Sequence, residues 1–468
     1  MMEKGELPTS TVPVPDDVQC VMKKLRDNGY ESFLVGGCVR DTLLKQTPKD
    51  YDVTTNARAG QVKALFEADG FHVIETGLKH GTVTVISRST PVEVTTYRVD
   101  GTYSDGRHPD SVTFADGIGE DLSRRDFTIN AMAYSPQDGF VDLFGGTEDL
   151  TNGLIRCVGD PQKRFEEDAL RILRALRFAS VLGFAIEPRT SACIREQKHL
   201  LNRLAKERVT AELFGLLCGK GAENVLREYN DVIAEVLPPI APMFGFSQDN
   251  PHHIYDVWEH TLHVVANVPP DRTLRLAALL HDVGKPHCRT TDSDGVGHFY
   301  GHAEIGEDIC RDIFDRFLRT DKKTASRVML LVRYHDEPIT PSRRILHRRL
   351  SKYGEEVLRQ LLTLHRGDVM GQAPAYRGRL EELDEAERIL DELIRENACL
   401  RLSDMHIGGG DLIAMGIPPG RQIGVILNAL LTEVCDGRIQ NQADALKARA
   451  SELIQQTHEW NKDNPKKD

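Results

Sequence analysis

The sequence predicts an α+β protein, with a mixed-sheet N-terminal head followed by an all-helical remainder. Three observations carry that prediction. Short β-branched runs separated by turn clusters fill residues 32 to about 149, with TVTVI (82–86), VEVTTY (92–97) and SVTF (111–114) the clearest. After Gly153 the composition shifts to helix-forming, Arg-rich sequence. The chain has 468 residues, and single hydrophobic cores stop growing at roughly 250–300 residues, so several units are expected.

Taken in order, residues 1–30 form a polar, Pro-rich lead-in and one helix. In that helix Val18, Val21, Met22 and Leu25 share a face and Gly29 marks the stop. Residues 31–152 are the head. Residues 153–240 form a helical neck, with RFEEDALRILRALRFA (164–179) its clearest amphipathic segment and ERVTAELFGLL a further helix. The Pro-rich stretch VLPPIAPMFGFSQDNPHH (236–253) breaks the chain. A His-rich helical domain follows over 250–397, then a helical tail over 398–468 around LSDMHIGGGDLIAMGIPPGRQIG.

Composition narrows the function classes. With 40% hydrophobic and 28% charged residues the chain reads as an ordinary soluble protein. Nine cysteines lie scattered without a CxxC pair, and MMEKGELPTS lacks the apolar core of a signal peptide, so a reducing cytoplasm is expected. No apolar run approaches the ~20 residues that span a bilayer. A net charge of −12 is unlike a generic nucleic-acid binder, so contact with RNA must rest on local basic clusters, and DNA is not an expected partner.

The chemistry starts at LVGGCVRDTLLKQTPKDYD. Gly36 and Gly37 follow the apolar run FLV, where a strand should end, and leave room for backbone amides to approach a polyphosphate. In an extended strand, positions i and i+2 face the same way, so Asp50 and Asp52 can grip one divalent cation, and hard carboxylate oxygens suit Mg2+. A DxD pair also occurs in plain surface turns. Two metals need further ligation, which singles out Glu93 in PVEVTTYR, otherwise a solvent-facing strand acid. In RRDFTINAMA, Arg124 and Arg125 offer rigid donor forks to phosphate, Asp126 adds an acid, and Asn130 can orient a ribose hydroxyl. The bland alternative is a helix start with solvated arginines.

In EDALRILRALRF, Asp168, Arg171, Arg174 and Arg177 recur every third residue, which puts all four on one helical stripe. Such a stripe is ordinarily a wet face, yet an acceptor beside a donor fork matches a chemical question. Cytosine and adenine each present an amino donor next to a ring acceptor, whereas uracil and guanine present the reverse. Asp168 with Arg171 would accept C and A and reject U and G, because the wrong base leaves buried polar groups unpaired.

In this order and spacing, GGCVRD, DYD, RRDFTINAMA and EDALRILRALRF resemble the class II tRNA nucleotidyltransferases (CCA-adding enzymes) and the related bacterial poly(A) polymerases. The resemblance spans about Phe33 to Leu217. It implies a nucleotidyltransferase head that adds C, C and A to the 3′ end of tRNA from CTP and ATP without a template, using Mg2+. Asp50 and Asp52 would bind the metals, with Glu93 as the third acid. Gly37, Arg40 and Arg125 would hold triphosphate and sugar, and Asp168, Arg171, Arg174 and Arg177 would read the base and nearby phosphates. Members that add only CC have a shortened loop after the third acid, whereas TYRVDGTYSDGRHPDSVTF is full length here. Poly(A) polymerase is the alternative, although its usual basic C-terminal extension is absent from this sequence.

The His-rich region carries His260, His281, Asp282, His302, His335 and Asp368, a set of imidazoles and carboxylates suited to a transition metal. Their order resembles the HD superfamily of metal-dependent phosphohydrolases. That likeness implies His260, His281, Asp282 and Asp368 as a basic ligand set, His302 and His335 as extra ligands for a second ion, Asp282 as a bridge and Lys285 as a phosphate contact. Mn2+, Ni2+, Co2+ or Fe2+ would fit, and phosphatase or 2′,3′-cyclic phosphodiesterase activity would follow. The other reading of this domain is an inherited scaffold that only shapes the RNA-binding body. Self-association is left open, because the apolar helices of 250–400 suit a dimer as well as a core.

Overall fold

The computed structural model describes residues 12–100, 112–115, 117–396 and 401–463. The chain divides into two compact units, Met1–Ala241 with Asp312–Thr320, and Pro242–Arg311 with Asp321–Asp468. The α+β architecture follows the predicted division between a mixed sheet and a helical remainder.

In the first unit, helix α1 (Asp16–Asp27) buries Val18, Val21, Met22 and Leu25. The head contains β1 (Phe33–Val35), α2 (Gly37–Leu43), β2 (Asp52–Thr55), α3 (Ala59–Glu67), β3 (His72–Gly77), β4 (Thr82–Ser87) and β5 (Thr90–Thr96). After these come a ribbon of β6 (Arg98–Asp100) and β7 (Val112–Phe114), then α4 (Ile118–Ser123), β8 (Met132–Ser135), β9 (Gly139–Asp142) and α5 (Gly146–Asn152). Seven strands form one sheet in the order β3-β4-β5-β2-β1-β8-β9. Alternation in β4 and β5 sends Val83, Val85, Val92 and Val94 into the core, fully buried. Neighbours pair antiparallel except β2 with β5, which run parallel and set Asp52 opposite Glu93.

Two expectations need correction. Strand β2 begins at Asp52, so Asp50 lies in the loop before it rather than two positions along the same strand. The amphipathic segment 164–179 is also not one helix: α6 (Pro161–Glu167) stops, Asp168 adopts φ −143°, ψ 102°, and α7 (Leu170–Leu182) starts anew. Asp168 therefore stands outside the stripe that Arg171, Arg174 and Arg177 occupy. Of the full-length loop TYRVDGTYSDGRHPDSVTF (96–114), the ends contribute to β5, β6 and β7, and residues 101–111 lie outside the described residues.

The neck continues with α8 (Pro188–Gln197), α9 (Lys206–Leu217), α10 (Ala222–Glu228) and α11 (Asn230–Val236). In the second unit, α12 (Val257–Asn267) starts where the Asp256 carboxylate accepts from Glu259 N–H, and α13 (Arg272–Leu280) where Asp271 accepts from Thr273 and Leu274 N–H. Then come α14 (His302–Arg316), α15 (Lys322–Tyr334), α16 (Arg343–Tyr353), α17 (Glu355–Gly371) and α18 (Arg379–Arg395). The tail helices α19 (Gly409–Ala414), α20 (Arg421–Cys435) and α21 (Ala443–Asp463) enclose a small core that includes Leu412, Ile426, Leu430 and Leu446. Among the described residues no helix is long and apolar enough to cross a membrane.

Candidate active sites

The head site grows from the end of β1. The chain turns through Gly36 at φ +76°, a left-handed conformation that disfavours any side chain, and a Cβ there would sit 3.0 Å from Arg125 Nη1. Gly36 therefore lets a guanidinium lie directly against the backbone at the start of α2. Three carboxylates gather nearby. Asp52 is paired in register with Glu93. Burial pushes its carboxyl up to about 6, the charges of Glu93 and Asp50 add to that rise, and Arg125 opposes it. Neighbouring like charges that raise the proton affinity of Asp52 mark a site short of a cation, which is the donor set a hard divalent ion wants. Asp50, Asp52 and Glu93 are nonetheless not among the groups whose ligand atoms all lie within 4.8 Å of one another.

Behind the acids lies a buried polar relay. Asp121, on α4 and fully buried, accepts from Arg124 Nη2 at 2.7 Å and from Arg125 Nη2 at 3.3 Å. Burial works against its charge, but the two guanidiniums hold its carboxyl below the usual range. Asp126 uses both oxygens. Oδ1 accepts from Phe127 N–H and from Asn130 Nδ2 at 3.0 Å, and Oδ2 accepts from Arg174 Nε at 2.8 Å. Despite burial, Arg174 and Asn130 bring it down to about 2. Asn130 Oδ1 in turn accepts from Arg40 Nη1 at 2.7 Å. Asp126 and Asn130 thus brace arginines rather than present free polar groups, since Asp126 is 8% and Asn130 6% exposed.

The base-reading candidates separate. At the break between α6 and α7, Asp168 Oδ1 accepts from Leu170 N–H at 3.0 Å and Oδ2 from Arg208 Nη2 of α9 at 2.9 Å. Arg171 bonds instead to Glu167 at 2.6 Å and to the Arg124 carbonyl at 3.1 Å. Arg177 Nε donates to Glu212 of α9 at 2.5 Å. Sequence reasoning missed Asp121, Glu167, Arg208 and Glu212. The first two were readable, because Asp121 precedes Arg124 and Arg125 by three and four residues and Glu167 precedes Arg171 by four, the spacing of helical ion pairs. The last two are tertiary partners with no local signal.

The second unit holds a centre of a different kind. His260, His281 and Asp368 form one cluster and Asp282, His302 and His335 another, each with ligand atoms within 4.8 Å. Asp282 stands between them, with Oδ2 3.2 Å from His281 Nε2 and Oδ1 3.6 Å from Nε2 of both His302 and His335. All four imidazoles turn Nδ1 to a backbone carbonyl, of Gly371, Ala278, Phe299 and Val332 respectively for His260, His281, His302 and His335, at 2.7–3.2 Å. A carbonyl only accepts, so each Nδ1 carries a proton and Nε2 is the nitrogen aimed inward. There His260 Nε2 lies 2.9 Å from Asp368 Oδ1 and 3.4 Å from His281 Nε2, and His302 Nε2 lies 3.1 Å from His335 Nε2. Inward nitrogens and carboxylate oxygens crowded this closely are a donor set that suits a bound cation.

Asp282 is buried, yet His281 and Lys285 hold its carboxyl well below the ordinary value. Lys285 Nζ is 2.7 Å from Asp282 Oδ2 and donates to Gln248 at 2.8 Å. A cavity of about 280 Å3 opens onto Asp282, Lys285, His302, His335 and Asp368. Two further histidines flank the cluster, His253 half-buried and His365 buried, and desolvation lowers His253 to about 3 and His365 to about 4, which keeps both neutral.

These sites coincide with known families. The "Poly A polymerase head domain" matches residues 32–156, the "Probable RNA and SrmB- binding site of polymerase A" matches 183–239, and the "HD domain" matches 252–394. The CCA-adding enzyme of Leuconostoc mesenteroides is 34% identical over 442 residues, covering 94% of this chain and 96% of that protein. The one from Ligilactobacillus salivarius is 32% identical over 447 residues, covering 95% and 98%. Among solved structures, the Bacillus stearothermophilus CCA-adding enzyme in complex with CTP superposes with a TM-score of 0.69 at 27% identity, covering 95% of this chain and all of that one. The fold is also that of the Thermotoga maritima CCA-adding enzyme complexed with tRNA, at TM-score 0.59, 21% identity and coverage of 94% and 97%.

Proposed function

Since the chain belongs to the CCA-adding enzymes, the tRNA nucleotidyltransferases, we propose that its head adds C, C and A in turn to the 3′ end of tRNA, in the cytoplasm, from CTP and ATP with Mg2+. One observation carries the reading. Asp52, Glu93 and Asp50 bring their charges together at the start of β2, where burial first and then the two neighbouring acids push the Asp52 carboxyl up to about 6, and Arg125 is the cation that opposes the rise.

Magnesium held by these acids would neutralise triphosphate charge and favour ionisation of the attacking 3′ hydroxyl. Gly36 and Gly37 keep the backbone open to phosphate, Arg40 and Arg125 offer donor forks to triphosphate and sugar, and Asn130 fixes Arg40. Asp168 and Arg171 stand at the break before α7, and a cytosine or adenine edge would exchange with the Arg208 and Glu167 contacts they make there. Arg174 and Arg177 support that edge and its phosphates.

Offering tRNA that ends before CCA with each nucleoside triphosphate, singly and together, tests the proposal. Growth by C, C and A that then stops supports it, whereas a long A tail indicates the poly(A) polymerase alternative.

A second activity is favoured by the four imidazoles with Nδ1 fixed and Nε2 converged on Asp282. His260, His281, Asp282 and Asp368 would hold one transition-metal ion (Mn2+, Ni2+, Co2+ or Fe2+), with His302 and His335 serving a second, and the bound ion would supply an activated water for phosphoester hydrolysis. Lys285 would meet the phosphate. Hydrolysis of a nucleoside 2′,3′-cyclic phosphate with Mn2+ or Ni2+, abolished by His281→Ala, is the expected result; activity that survives the substitution removes this site from the reaction.

A further inference from the structure

One aromatic ring joins the two halves of the nucleotide site. Phe178, at 6% exposure on α7, has three guanidiniums around it: Arg177 at 4.3 Å from the ring centroid, Arg40 at 5.1 Å and Arg174 at 5.4 Å. Phe127, from the RRDFTIN segment, packs edge-on against it at 5.8 Å and 81°. Hydrogen bonds close the circuit, from Arg40 to Asn130, from Asn130 to Asp126 and from Arg174 to Asp126. Arg40, Asn130, Asp126, Arg174 and Phe178 thus form a ring of five side chains drawn from three separate segments.

The electrostatics explain why an aromatic occupies the centre. Three like charges crowded around one buried ring repel one another, and the acids Asp41, Asp126 and Glu212 answer them one apiece. A π-face attracts cations where an aliphatic side chain does not, and each such contact is worth about 0.5–2 kcal/mol according to its desolvation. Leucine would fill much of the volume but lose that attraction.

We propose that Phe178 is a positioning residue for nucleotide selection: it fixes the triphosphate-side Arg40 and the base-side Arg174 and Arg177 in one rigid array, so that base fit and phosphate placement are coupled. A base that mispairs on the α7 side shifts Arg174 or Arg177, and through the shared ring also moves Arg40. The wrong nucleotide then loses both its base contacts and its phosphate alignment. The inference rests on the nucleotide reading given above.

The test compares Phe178→Leu, which keeps apolar bulk, with Phe178→Tyr, which keeps the ring. For each variant KM and kcat for CTP, ATP and UTP addition to tRNA would be measured beside the thermal midpoint. Phe178→Leu is expected to raise KM for CTP and ATP about tenfold and to raise UTP use relative to CTP by a similar factor, while Phe178→Tyr stays near the parent on both counts. Should the leucine variant not fold, Phe178→Met supplies the ringless case. A ringless variant that keeps the parent's KM and discrimination overturns the proposal, as does a tyrosine variant impaired as much as the leucine one, or losses that merely track the folded fraction. A parent enzyme that fails to distinguish C and A from U and G sinks the nucleotide reading instead, which separates the two failures.

Discussion

The two proposed metal-ligand sets differ in how the chain prepares them. In the His-rich unit each of the four clustered imidazoles, His260, His281, His302 and His335, has its outer nitrogen pinned to a main-chain carbonyl, and the inner nitrogens already meet around Asp282. In the head, one acid starts a strand, one sits across a parallel pair and the third rides a loop, and the three do not draw together to the same degree. The first arrangement is preformed by hydrogen bonds. The second is assembled by sheet register, and an ion bound at the proposed head site would draw its acids closer.

That contrast can be broken one site at a time, starting with the largest effect. Asp52→Ala should cut nucleotide addition by about a thousandfold or more, while tRNA binding and hydrolysis of cyclic phosphate persist; parallel assays of the three would show it. His281→Ala should do the reverse, lowering transition-metal affinity by about a hundredfold or more in calorimetric titration and leaving CCA addition intact. Coupled loss of both activities in either variant would mean that the sites are not independent.

A third experiment sharpens the comparison through pH. Asp52 is raised to about 6, and a carboxylate must be ionised to bind Mg2+. The Mg2+ concentration for half-maximal addition should therefore climb steeply, by about tenfold per unit, as pH falls below about 6. Glu93→Gln removes one of the repelling charges and should move that limb to lower pH. The linkage to stability has the opposite sense. A folded-state value above the unfolded one means that protonated Asp52 favours the fold, so its contribution is full below about 4 and is lost as pH rises through 6. The smallest expected effect lies behind the acids, where Asp126→Asn weakens the grip on Arg174 and should lower stability by about 2 kcal/mol in denaturant titration.

Much of the fold could be read from local pattern. The alternating runs at 82–86 and 92–97 became β4 and β5 because valines at every second position need one buried face. The parallel pairing of β2 with β5 could not be read, because register between distant strands leaves no mark within either. The helical stripe failed at Asp168 for a local reason: its carboxylate accepts from Leu170 N–H, an Asx-type bond that competes with helix continuation. Order and spacing singled out the residues now proposed for both sites. Their partners Arg208 and Glu212, brought in by α9, were not.

The parallel pairing of Asp52 with Glu93 has a consequence for biosynthesis. A tight hairpin cannot join two strands that run the same way, so helix α3 and the β3–β4 pair must be laid down between the two acids. A nascent chain released or paused before Glu93 holds one half of this pair without the other. Polymerising competence therefore arrives with long-range closure of the sheet, late in folding rather than early.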